Sequence, residues 1–139
     1  MILPLFLSII FIALGLVHYN WVIGGNFGLA VALPTDENGK RVLNPKKADS
    51  AIVGTGLIAF GVFYLIGAGV LKASLPDWIF NYGGWIIPSI FLLRAVGEFK
   101  YVGFFKKIKQ TPFGKMDTKL FSPLCLFIAV AGFAIQLLN

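Results

Sequence analysis

The sequence predicts an all-α polytopic membrane protein, a bundle of four transmembrane helices, and three observations carry that expectation. Hydrophobic residues make up 58% of the 139 and charged ones 13%, and mean hydropathy is +0.84, too apolar for an ordinary soluble domain. Four apolar stretches each approach the roughly 20 residues a helix needs to cross about 30 Å of hydrocarbon. Almost all the Lys and Arg residues lie in two of the three connections between those stretches.

The first stretch, Ile2 to about Val22, has no basic n-region, and "LGLVHYNWVIGG" lacks an A-x-A-like cleavage site. It therefore reads as a retained helix rather than a signal peptide. In the next connection, "LAVALPTDENGKRVLNP", two short β-favouring runs flank Asn38-Gly39, a dipeptide that tolerates the positive φ of a tight turn. This predicts a small β-hairpin. In the second stretch, Ala51 to about Leu71, Gly54, Gly61 and Ala68 recur every seven residues and make one face small enough for close approach of a neighbour. Such a seam serves equally within one chain or between two, so a homo-oligomer is compatible with it. The third stretch, Trp78 to about Phe99, contains Pro88, which has no N–H for the Gly84 carbonyl. A kink or local widening is expected there. The fourth, Leu120 to Leu138, holds the single cysteine, Cys125, so neither an intrachain disulfide nor CxxC chemistry is available. The four helices use nearly all of residues 1–139 and predict one transmembrane domain.

Orientation follows from the loop charges. Lys40, Arg41, Lys46 and Lys47 follow the first helix, and Lys100, Lys106, Lys107, Lys109, Lys115 and Lys119 follow the third, whereas "KASLPD" on the other side carries Lys72 alone. By the positive-inside rule both long connections face the cytoplasm and both termini lie outside it. The formal charge of +6 is thus a topology signal, and "KYVGFFKKIKQTPFGK" reads as a basic, aromatic-bearing segment on anionic lipid headgroups. Membrane lipids are the expected partners and nucleic acid is not.

The polar residues converge on that same side. At 1.5 Å per residue His18 lies about 21 Å in from Pro4, and Arg94 and Glu98 lie about 24 and 30 Å in from Trp78. His18, Asn20, Trp21, Arg94, Glu98 and Asp117 are the candidate site, lining a pocket for an amphipathic or lipid-like molecule. Arg94 would hold an anionic or carbonyl-bearing headgroup, His18 and Glu98 would carry a proton, and the aromatics would cover the apolar part. Against this stands a structural reading, in which Arg94 and Glu98, spaced i, i+4, form a direct pair that clamps the third helix. Two further classes are open: an intramembrane enzyme with His18 and Glu98 as acid and base, and a small proton-coupled exporter. A coupling carboxylate should sit near midplane, which Glu98 does not. No complete catalytic constellation is present; one His without paired cysteines falls short of a metal set, and no cofactor fingerprint occurs.

The blocks "HYNWVIGG", "RAVGEFKYVGFFK" and "TPFGKMDTKLFSPLCL" resemble, in order and over nearly the whole chain, an uncharacterised bacterial family of small four-helix membrane proteins, a domain of unknown function. The resemblance implies a compact bundle in a bacterial inner membrane and no assigned activity. His18, Trp21, Gly24, Gly25, Pro34, Arg94, Glu98, Asp117, Ser122 and Pro123 match its motifs. It raises the weight of Asp117, which would either cap the fourth helix or join a network with Arg94.

Overall fold

All four apolar stretches form helices of spanning length in the computed structural model, which describes residues 2–138. In chain order the elements are α1 (Ile2–Val22), a single turn α2 (Leu29–Ala32), α3 (Lys47–Gly67), α4 (Asp77–Val96), α5 (Pro112–Met116), a π-helical turn (Asp117–Phe121) and α6 (Ser122–Leu138). The last three run on without a break as one 27-residue span, Pro112–Leu138. The protein is a multi-pass membrane protein.

Helix ends explain the shifts from the expected spans. α3 begins four residues before Ala51 because the Asp49 carboxylate reaches back to accept the Lys46 N–H at 2.9 Å, satisfying a donor that has no partner within the helix. The fourth span begins eight residues before Leu120, where Thr111 accepts the Gly114 N–H at 2.9 Å and Pro112 supplies the preset φ of a first helical position. α4 stops at Val96, and Gly97 at φ 85° turns the chain out of the helix. α4 continues through Pro88 without interruption.

The chain divides into two compact units. The first comprises the chain up to Phe27, Pro45–Pro88 and the chain from Ala131; the second comprises Gly28–Asn44 and Ser89–Val130. In the first, α1 packs along α3. A Cβ on Gly61 would lie 2.7 Å from Ile12 Cγ1, and one on Gly54 would lie 3.2 Å from the Gly15 carbonyl, so two of the three seam positions pack within the chain, while Ala68 lies at the C-cap just past the helix end. Phe11, fully buried, meets Phe60 edge-on at 5.7 Å and stacks on Tyr64 at 5.8 Å.

In the second unit the expected hairpin narrows to one antiparallel bridge, Thr35 with Arg41, and no strand forms among the described residues. The Asn38-Gly39 turn is present with Gly39 at φ 82°, and the Asp36 carboxylate accepts the Asn38 and Lys40 N–H groups, each at 2.9 Å. The first β-favouring run is lost to helix because Gly28, at φ 66°, starts the turn α2 within it.

Candidate functional site

The second unit is organised around Asp117. A helix continuing regularly from Pro112 is widened by one residue at Asp117–Phe121, where the Ser122 N–H bonds to the Asp117 carbonyl in the i→i+5 pattern. Such π-turns recur at functional positions. The Asp117 side chain is fully buried and both carboxylate oxygens are used. Oδ1 accepts from Arg94 Nη2 at 2.8 Å; Oδ2 accepts the Gly103 N–H at 2.8 Å and Lys106 Nζ at 3.1 Å. A carboxylate without water is tolerable only with such compensation.

Lys106, 2% exposed, is the member of this cluster that sequence reasoning missed. Its Nζ faces three acceptors, the Gly103 carbonyl at 3.0 Å, Thr118 Oγ1 at 2.5 Å and Asp117, which matches the three donors of an ammonium. The other lysines of this loop and the following helical turns are exposed, as expected of residues at headgroups. Two cations therefore surround one carboxylate. Arg94 is not saturated: Nη1 is buried without a hydrogen-bond partner, while the side chain as a whole is 30% exposed and its Cζ lies 6.0 Å from the Phe113 ring centroid.

Arg94 does not pair with Glu98. The helix has ended before Glu98, so the i, i+4 relation never forms, and Glu98 builds the loop instead. Its Oε1 accepts N–H groups from Lys100 at 3.0 Å, Tyr101, and Val102 at 2.9 Å. Desolvation opposes the charge, but these donors and the Lys100 ammonium outweigh it and hold the carboxyl below its usual range. Nor does Asp117 cap a helix; it stands inside the last span, and Thr111 is the cap. The network with Arg94 is the role it takes.

In the first unit His18, Asn20 and Trp21 share the last turns of α1. His18 Nδ1 donates to the Leu14 carbonyl at 2.8 Å, and its ring lies 4.7 Å from that of Trp21. Asn20 Oδ1 accepts the Phe27 N–H at 3.2 Å and Trp21 Nε1 donates to the Phe27 carbonyl at 2.8 Å, so both fasten the Gly24–Phe27 turn. A Cβ on Gly25 would lie 2.3 Å from Asn20 Oδ1 and would push that amide off the Phe27 N–H. Nearby, Tyr19 and Thr55 hydroxyls bond at 2.5 Å between α1 and α3. Among the described residues no three His, Cys, Asp or Glu side chains gather as a metal set.

Residues 11–132, with the Asp117 network and the Trp21 turn among them, match the family described as "Protein of unknown function (DUF3995)". The chain belongs to this family. No curated protein and no solved structure matches it. Membership in DUF3995 assigns no activity, so the reading of this family member rests on its own geometry.

Proposed function

We propose that this protein binds an anionic amphiphile, with Arg94 as the group that receives the phosphate or carboxylate of its head. The observation that carries the reading is the charge count at Asp117. Arg94 and Lys106 together exceed it by one positive charge, Lys106 has spent its donors, and Arg94 keeps one unpaired, buried donor, Nη1, on a side chain that is 30% exposed as a whole. The exposed lysines of the same loop favour an anionic surface beside it. Glu98, committed to three backbone donors, is a poor proton carrier, which lowers the enzyme and exporter readings.

The test is native mass spectrometry of the full-length protein with phosphatidylglycerol and phosphatidylcholine supplied in equal amounts. Wild type retains the anionic lipid selectively, Arg94→Gln loses the selectivity, and Arg94→Lys recovers part of it. Equal retention of both lipids by wild type, or unchanged selectivity in a folded Arg94→Gln variant, defeats the proposal. A variant that unfolds without any lipid preference in wild type makes the cluster a clamp.

The same reading places the protein in a bacterial inner membrane with the two basic connections in the cytoplasm and both termini outside. With Cys125 replaced by Ser, an impermeant maleimide added to intact cells should label Ser74→Cys and reach Asn38→Cys only after lysis. The opposite pattern reverses the orientation.

A further inference from the structure

The first unit contains a cavity of about 300 Å³ at the end of α1 and α3 away from His18. It lies between Leu3 and Pro4 at the start of α1, Phe63, Tyr64 and Gly67 at the end of α3, the first turns of α4 and the last turns of α6. The sequence, with its polar residues converging on the other side, leaves this end almost entirely apolar. Its walls are largely so, but two side chains are not. Tyr64 is 3% exposed, and its hydroxyl is buried without a hydrogen-bond partner. Gln136 crosses Gly84, where a Cβ would lie 1.9 Å from its Oε1, and its Nε2 donates to the Asn81 carbonyl at a long 3.3 Å. None of the described residues lining the cavity carries a charge.

A phenol sealed in an apolar wall and left unpaired is costly, more so in lipid, where water does not compete for it. Its ring is held by Phe11 on one face and Phe63 edge-on at 5.2 Å. The hydroxyl oxygen lies 3.2 Å from where a Cβ on Gly132, another wall residue, would stand. We infer that this cavity is a second binding site, for an uncharged amphiphile whose hydroxyl or carbonyl oxygen pairs with Tyr64 and Gln136 while its apolar part lies against Phe63 and Phe80. The volume equals roughly ten water-sized groups, enough for a head and the first carbons of a chain. A charged head is disfavoured, because none of the described lining residues would compensate its desolvation. The site uses no residue of the Arg94 cluster, so either reading can fail without the other.

The experiment uses the full-length protein in detergent with three diazirine-bearing probes of equal chain length, an alcohol, a carboxylate and an alkane. The alcohol should label peptides containing Phe63, Phe80 or Gln136 in preference to the other two, and excess unlabelled hexadecanol should compete. Tyr64→Phe should lower that labelling by roughly fivefold, the size of one lost hydrogen bond, while unliganded Tyr64→Phe melts no lower than wild type, since the hydroxyl it removes has no partner. Equal labelling by alcohol and alkane would make the cavity a space for lipid tails alone and overturn the inference. So would undiminished labelling of Tyr64→Phe, or a drop in its unliganded melting temperature.

Discussion

The two units of this protein solve the same problem in opposite ways. In lipid the hydrophobic effect does not drive helices together, so packing and polar contacts must. The first unit uses the absence of side chains, with Gly15, Gly54 and Gly61 bringing the α1 and α3 backbones together over many small contacts. The second concentrates its polar contacts at one buried carboxylate, which ties together the end of α4, the 97–111 loop and the start of the last span. Distributed packing degrades gradually under mutation. A charge cluster centred on one residue does not.

The largest expected effect is therefore at Asp117. Asp117→Ala strands Arg94 and Lys106 beside each other without their shared counter-charge, and breaking a buried ion network in this way costs about 3–5 kcal/mol. Chemical unfolding in detergent would measure it. A double variant, Asp117→Ala with Lys106→Met, removes one of the stranded cations and should be more stable than Asp117→Ala alone, a coupling of the sign a double-mutant cycle detects. If Asp117→Ala costs less than 1 kcal/mol, a threshold of roughly one exposed ion pair, the second unit does not depend on its charges as claimed.

The first unit should respond less, and according to position. Gly61→Leu drives a side chain into Ile12 and the Ser8 carbonyl, an overpacking worth about 1–3 kcal/mol. Gly56, on the same helix, has no atom within 4 Å of an added Cβ, so Gly56→Ala should stabilise by about 0.5–1 kcal/mol through helix propensity alone. Opposite signs for two glycines five residues apart would establish that the α1 contact, and not glycine content, holds this unit. Equal effects would leave the seam without a role.

The same contrast explains what the sequence disclosed. Helix α1 was legible as an apolar run from Ile2 to about Val22, and the α3 seam as a seven-residue repeat, because both signals are local in the sequence. The start of the last span was legible in principle, since "QTPFGK" carries a Thr cap before Pro, but the polar run after it drew the boundary inward. Lys106 was not legible. Five exposed lysines surround it in the sequence, and only a non-local meeting with Asp117 and Thr118 sets it apart. Glu98 was misplaced for a related reason. Gly97 and Gly103, both at positive φ, approach so closely that a Cβ on Gly97 would lie 1.8 Å from the Val102 carbonyl oxygen. That close return of the chain ends the helix before Glu98, whereas an apolar-run reading carries it onward to Phe99.

The smallest expected effect tests whether Glu98 belongs to the cluster or only to the loop. Its folded carboxyl is held below the usual range by the Lys100, Tyr101 and Val102 N–H groups and by the Lys100 charge. A group depressed in this way stabilises the folded state fully above its unfolded pKa, and the contribution is lost as pH falls through the lower folded value. Loosening should therefore begin as pH falls into the ordinary carboxylate range and be complete below the lower folded value, and because Glu98 is exposed it should stay local. Amide hydrogen-exchange protection, corrected for intrinsic rates, should fall at Lys100, Tyr101 and Val102 on acidification while Gly103, held by Asp117, keeps its protection. Glu98→Gln should reproduce the loosening at neutral pH without moving the global melting temperature. Simultaneous loss at Gly103, or a fall in global stability with Glu98→Gln, would join Glu98 to the Asp117 network and erase the distinction between a loop staple and a buried charge centre.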